Sequence, residues 1–103
     1  MYTVLISSEA EQDLDNVWSW YESQKKELGM EFIMAFNSTI SSICNFPFSK
    51  PKFKNKIRRC LMSKYPFGVY YLVNKKELEL KIIAVLHFKR GSRFKKSILT
   101  QRK

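Results

Sequence analysis

The chain has 103 residues, of which 45% are hydrophobic and 15% aromatic, with only three glycines and three prolines. This length predicts one domain with a modest core, and the composition excludes a disordered or low-complexity chain. The formal net charge is +10. The first 49 residues carry seven acidic and two basic side chains, whereas residues 50–103 carry 17 basic and two acidic ones. So one-sided a field attracts an acidic protein partner or a polyanion.

Several function classes are excluded by what the sequence lacks. The first residues have neither the basic nor the long apolar region of a signal peptide, and no stretch approaches the ~20 apolar residues that span a bilayer. We therefore expect a cytoplasmic protein without a membrane partner. Cys44 and Cys60 lie in apolar stretches without metal-ligand spacing, which favours a reduced, buried pair over a disulfide. With a single histidine, we expect no metal site and no cofactor.

The acidic half predicts one strand and two helices. Residues 2–7 alternate like a strand, and Ser8 is expected to cap a helix that runs to about Leu28. Gly29 is the expected stop, because glycine favours the end of a helix. A second apolar stripe follows at once and ends before Pro47. So short a connection predicts an antiparallel helical hairpin.

The basic half predicts three strands, at residues 56–62, 67–73 and 78–88, with a turn at 74–77. Uninterrupted alternation in the last strand assigns Ile83, Val85 and His87 to the same face. The fold class is therefore α+β, in the order β-α-α-β-β-β. We expect a helical hairpin on one face of a small, mainly antiparallel, four-stranded sheet and a partly open basic groove on the other. The single domain, 1–103, ends in a basic tail at 91–103, which is either a short helix or disordered when unbound.

The candidate chemistry comes from the basic side chains and the one histidine. A nucleophilic triad has poor support, because no second histidine is available to serve Ser or Cys, and no Gly-rich phosphate loop is present. The first and last strands of a three-stranded antiparallel meander run parallel, so Arg59 and His87 are expected to approach one groove. Arginine there would grip a scissile phosphate, with His87 as general acid or base. The alternatives are a structural His87 at a strand end and an ion pair between Arg59 and a carboxylate of the first helix.

The predicted groove for a target or partner combines basic residues with one tyrosine and the histidine: Lys54, Lys56, Arg58, Arg59, Tyr65, His87, Lys89, Arg90 and Arg93. If the protein is a nuclease, the catalytic residues within this set are Arg59, His87 and Arg90.

An ordered set of short motifs spans nearly the whole chain: Ala10, Asp13, Leu14 and Tyr21; Leu28-Gly29 and Phe32; Ile43 before Pro47; Ile57-Arg58-Arg59; Tyr65-Pro66-Phe67; Val69-Tyr70-Tyr71; and Ala84-Val85-Leu86-His87 with Lys89-Arg90. In this order and spacing the chain resembles the toxins of the RelE/ParE superfamily, which belong to bacterial type II toxin–antitoxin systems. The resemblance implies the same β-α-α-β-β-β fold. It also implies a growth-inhibiting toxin that a cognate acidic antitoxin neutralises.

The resemblance is closer to the ParE side of the superfamily, whose members poison DNA gyrase. Gly68 stands where the RelE-like nuclease branch often has an arginine. That branch also often has a tyrosine beyond the last strand, whereas no tyrosine follows Tyr71 in this chain. Phe88 replaces the tyrosine of a His–Tyr pair that some nucleases use. We therefore expect a ParE-like toxin that inhibits DNA gyrase, and the missing nuclease residues favour a toxin that is not itself an enzyme. The alternative is a RelE-like, ribosome-dependent mRNA endoribonuclease whose partners are the ribosome and mRNA. A second alternative is a basic nucleic-acid-binding module.

Overall fold

A computed structural model of the protein describes residues 1–89 and 91–102, and of Ser92 the backbone alone. It contains five strands and three helices in these described residues, and in chain order they are β1 Thr3–Ile6, α1 Ser8–Gln24, α2 Leu28–Asn45, β2 Lys52–Lys54, β3 Ile57–Leu61, β4 Phe67–Asn74, β5 Glu79–His87 and α3 Ser92–Arg102.

The helical hairpin forms as predicted, but its ends differ from the prediction. The hydroxyl of Ser7, not Ser8, caps α1 by accepting the N–H of Ala10 at 3.1 Å. The carboxylate of Glu22 near the end of α1 accepts the backbone N–H groups of Glu27 and Gly29, both at 3.0 Å. Two donors at the start of α2, which have no partner within that helix, are thereby satisfied from the neighbouring helix.

Gly29 therefore lies in the first turn of α2 and does not end α1. A Cβ atom at this position would lie 2.6 Å from Nε1 of Trp18, which is closer than real side-chain contacts. The glycine is needed because the indole of α1 packs directly against the backbone of α2. Gly29, which was expected to end α1, is therefore the point at which the two helices contact each other.

The strands form one sheet in the order β1-β5-β4-β3-β2, with β1 parallel to β5 and the remaining neighbours antiparallel. The predicted α+β architecture is confirmed, and the strand count is corrected from four to five. The additional strand, β2, was missed because it is only three residues long and directly follows Pro51.

Both faces of the sheet are covered. The face toward the hairpin carries the larger core, whose buried residues are Ala10, Phe32, Phe36, Ile43, Cys60, Met62, Val69, Tyr71, Leu80, Ile82 and Val85. The opposite face carries a second core under α3, made of Ile57, Tyr70, Ile83, Ala84, Leu86 and Leu99. The basic tail is thus a docked helix, and it covers part of the face that was expected to carry the partly open basic groove.

A β-bulge at Ile83 changes which side chains of β5 face the hairpin. Tyr70 pairs with Ala84 and Tyr71 pairs with Ile82, so Ile83 has no partner of its own in β4. A one-residue shift moves every later side chain to the other face. Ile83 and Ala84 consequently share the α3 face, and Val85 returns to the hairpin core.

Two further observations concern the chain as a whole. Cys60 is buried, Cys44 is half-buried, and neither forms a disulfide. Among the described helices, none has the length and apolar character required to cross a membrane.

Candidate functional site

Arg59 and His87 lie on opposite faces of the sheet. Arg59 pairs across strands with Tyr70, which belongs to the core under α3. His87 pairs with Phe67, which packs against the hairpin core. The bulge at Ile83 causes this separation, because alternation without it would place His87 on the α3 face. The structure therefore corrects the expectation that Arg59 and His87 line one groove, while their roles in binding stay predictions.

Arg59 lies on the α3 face. Its guanidinium carbon is 4.7 Å from the centroid of the Phe53 ring, a cation–π contact. Gly68 on the adjacent strand makes room for the arginine, because a Cβ there would lie 3.1 Å from Cδ of Arg59. The predicted alternative, an ion pair with a carboxylate of α1, does not form within the described residues.

Three more basic side chains gather around Arg59, and we call the group of Phe53, Lys54, Arg59, Lys95 and Lys96 the Phe53 cluster. The ammonium groups of Lys95 and Lys96 lie 5.7 and 5.9 Å from the centroid of the Phe53 ring. The ammonium group of Lys54 donates to the carbonyl of Lys96 and to the hydroxyl of Thr100. Cation–π contacts to the Phe53 ring and the hydrogen bonds of Lys54 therefore join β2, β3 and α3.

Lys95 is the most unusual member of the cluster, because only 5% of its surface is exposed. Its ammonium group donates to the carbonyl of Phe88 at 3.3 Å. Burial, and secondarily the nearby charge of Arg59, lower the pKa of Lys95 below its usual value. The folded protein thus holds a buried amine at an energetic cost.

His87 occupies a different environment at the end of β5. Its Nδ1 accepts the backbone N–H of Lys89 at 3.0 Å, and its ring meets Phe67 edge to face at 5.1 Å. It borders an apolar pocket of about 360 Å³ that is lined by Asn16, Val17, Trp20, Tyr21, Pro66, Phe67 and His87. The arrangement matches the structural alternative for His87, and the pocket suits an apolar group better than a phosphate.

The remaining predicted residues are scattered. Arg58 donates to the carbonyls of Phe48 at 3.2 Å and Lys50 at 2.7 Å, so it fixes the loop before β2. Tyr65 packs edge to face on two core rings of the hairpin. The exposed members are Lys56, Lys89 and Arg93. Arg90 lies outside the described residues.

Sequence reasoning missed Phe53, Lys95 and Lys96 as partners of Arg59. A signal for α3 was present, since Lys95, Leu99 and Arg102 recur at helical spacing and all three turn toward the protein. No comparable signal marked Phe53, because β2 is too short to show a pattern. Metal chemistry has no candidate here: the described residues bring no three His, Cys, Asp or Glu side chains into a binding group.

Comparison with known proteins agrees with this fold. The family model described as the ParE toxin of the type II toxin–antitoxin system parDE matches residues 4–91. A chain of the chromosomal ParDE system from P. aeruginosa superposes with a TM-score of 0.72 at 16% identity, covering 86% of this chain and 98% of that one. The isolated E. coli RelE toxin superposes with a TM-score of 0.64 at 10% identity, covering 98% and 99%. At such low identity these two structures show the fold alone. No curated protein sequence matches significantly.

The fold and the family match together define the class as a toxin of a type II toxin–antitoxin system. Within that class, the chain belongs to the ParE toxin family. The family identification made from the ordered sequence motifs is thereby confirmed.

Proposed function

We propose that this protein arrests growth by acting on DNA gyrase through protein–protein contact, and that a cognate acidic antitoxin holds it silent. The separation of Arg59 from His87 carries the proposal. A nuclease site built on these two residues would require both on one face of the sheet. With His87 turned toward the hairpin, Arg59 has no acid–base partner of that kind, and the gyrase-directed activity implied by the ParE resemblance is favoured.

The charge distribution supports an acidic antitoxin. Within the described part of the chain, Arg102 with Asp13 is the one ion pair closer than 4.0 Å. The other basic side chains of the described second half therefore have no carboxylate partner from these residues. An acidic segment would be steered toward them, and a disordered one would fold as it binds.

A supercoiling assay tests the gyrase target. Purified toxin should reduce the supercoiling of relaxed plasmid by gyrase, and an equimolar amount of the cognate antitoxin should restore it. Relaxation by a type I topoisomerase is the matched control and should be unaffected. If toxin at micromolar concentration arrests growth yet leaves gyrase supercoiling untouched, the proposed target is wrong.

The His87→Ala variant separates this proposal from the ribonuclease alternative. His87→Ala should still inhibit gyrase, weakened at most by the loss of one contact, because the residue has no catalytic role in the proposal. Primer extension on translated mRNA after induction provides the opposing measurement. If codon-registered cuts appear with the unmodified toxin and disappear in His87→Ala, the proposal of gyrase inhibition is wrong and the ribonuclease alternative takes its place.

A further inference from the structure

We propose that the Phe53 cluster is a binding site for a phosphate group, formed jointly by β2, β3 and α3. The starting observation is that Arg59, Lys95 and Lys96 all lie within 6 Å of one ring centroid. Arg59 and Lys95 repel each other near this ring, and the ring face relieves only part of that repulsion. This site is independent of the proposed gyrase target.

No carboxylate within the described residues balances these charges. The one described ion pair joins Arg102 to Asp13, and neither residue belongs to the cluster. Lys95 is nearly buried, and among the described residues its ammonium group donates to the carbonyl of Phe88. A buried cation without a counter-charge is unfavourable, so an anion that entered here would gain interaction energy with several cations at once.

Contacts within the protein hold the Phe53 cluster in place without a ligand. Gly68 leaves room for the aliphatic part of Arg59, and the Phe53 ring supports its guanidinium. Lys54 is tied to α3 through the carbonyl of Lys96. Side chains fixed in this way lose little conformational entropy when a ligand binds, which favours affinity.

Phosphate is the anion that fits this combination of donors. A guanidinium offers a planar fork that matches two oxygens of a phosphate, and ammonium groups add point charges from other directions. Arg59 supplies the fork, while Lys54 and the exposed Lys96 stand at the accessible side. A planar carboxylate has only two oxygens for the same set of donors.

Titration of the full-length protein with inorganic phosphate tests the site. The ionic strength is held constant with sodium chloride, and both the shift in Tm and the amide NMR shifts are followed. Lys96→Gln removes one cation at an exposed position and should leave the fold intact, which a circular dichroism spectrum verifies. We expect the Kd for phosphate to rise about three- to fivefold in this variant, as the loss of one exposed ion pair implies.

The matched control is Lys75→Gln, which makes the same change of charge in the exposed turn between β4 and β5. Its Kd should stay within about twofold of the unmodified protein, because the site lies elsewhere. Arg59→Lys keeps the charge but loses the fork, so its Kd should also rise. If Lys75→Gln and Lys96→Gln weaken phosphate binding equally, the effect comes from the net positive charge of the protein and the proposed site is wrong. The absence of saturable phosphate binding would also overturn the site.

Competition distinguishes the sources of the phosphate group. A short single-stranded oligonucleotide that displaces phosphate in a Lys96-dependent manner assigns the site to a nucleic-acid backbone. Failure of the oligonucleotide to displace it assigns the site to a free phosphate. A poly-glutamate peptide provides the opposing outcome. If it occupies the site at a lower concentration than the oligonucleotide or inorganic phosphate requires, with the same dependence on Lys96, the ligand is an acidic protein segment and the assignment to phosphate is wrong.

Discussion

Asp13 of α1 and Arg102 of α3 form a two-point ion pair, with N–O distances of 2.6 and 3.2 Å. The same carboxylate accepts the backbone N–H of Val85 at 3.0 Å, and the guanidinium donates to the carbonyl of Ile83 at 3.2 Å. Strand β1 pairs with β5 only as far as Ile82. The two side chains therefore satisfy backbone groups of β5 around and beyond the bulge, and they tie together helices from opposite faces of the sheet.

The first prediction concerns this connection. Arg102→Gln should lower the free energy of unfolding by about 1–2 kcal/mol, because it removes a mostly buried, charge-assisted pair. Asp13→Ala should cost about 1 kcal/mol more, since it also leaves the N–H of Val85 without its acceptor. Denaturant unfolding measures both losses, and hydrogen exchange should show faster opening of α3 in each variant.

The double variant completes this test. Because the two side chains contact each other, the combined loss should be smaller than the sum of the single losses by about 1 kcal/mol. Strictly additive losses, or no change in the exchange of α3, would contradict the role assigned to the pair.

The second prediction concerns the contact between Gly29 and Trp18. Gly29→Ala should destabilise the protein by about 1 kcal/mol, because the overpacking against the indole outweighs the gain in helix propensity. In a Trp18→Ala background the same substitution should cost clearly less or become stabilising, because the indole is gone and only Oε1 of Glu22, 3.0 Å from the added Cβ, still opposes the propensity gain. Thermal or denaturant unfolding of the four proteins gives the comparison. A loss of the same size in both backgrounds would rule out the indole contact as the cause.

The fold followed from the sequence wherever the apolar period was long. Helix α1 has 17 residues and strand β5 has nine, so the apolar pattern of each is long enough to distinguish a helix from a strand. Strand β2 has three residues and gives no period. The sequence does not decide between a helix and a disordered tail for the residues of α3, because the basic side chains obscure a short stripe that contains Leu99. The prediction that Gly29 ends α1 is wrong because glycine is required there by the packing of Trp18, and a rule for helix ends takes no account of packing between helices.

The candidate site was harder to predict because it depends on a single inserted residue. Ile83 and Ala84 are both apolar, so either fits either face, and the alternation of β5 seems uninterrupted in the sequence. Only the pairing with β4 reveals the bulge. The position of every side chain after it, including His87, depends on that pairing. Arg59 lies on β3, outside the bulge, and its pairing with Tyr70 places it on the α3 face.

The third prediction compares two adjacent tyrosines on opposite faces of β4. The hydroxyl of Tyr71 donates to the carbonyl of Pro47 at 2.8 Å, whereas the buried hydroxyl of Tyr70 has no hydrogen-bond partner among the described residues. Tyr71→Phe should lower the free energy of unfolding by about 1 kcal/mol. Tyr70→Phe should leave it unchanged or raise it, because an unsatisfied polar group is removed. Equal losses in the two variants would contradict this assignment.

The fourth prediction concerns alkaline pH. Burial, and secondarily the neighbouring Cys60, raise the pKa of Tyr71 from 10.0 to about 12, although Arg58 acts in the opposite direction. As the pH rises through 10, the unfolded chain loses this proton before the folded protein does. The folded state then binds more protons than the unfolded state, so stability falls between about pH 10 and 12, by about 1.4 kcal/mol per pH unit for this one group.

Tyr71→Phe removes this titration and serves as the reference for the measurement. At about pH 8 the unmodified protein should be the more stable of the two by about 1 kcal/mol, and above about pH 11 the order should reverse. Denaturant unfolding at a series of pH values gives the difference directly, because the other titrating groups are common to both proteins. An advantage that stays constant up to about pH 11 would show that the hydroxyl of Tyr71 titrates alike in the folded and unfolded states.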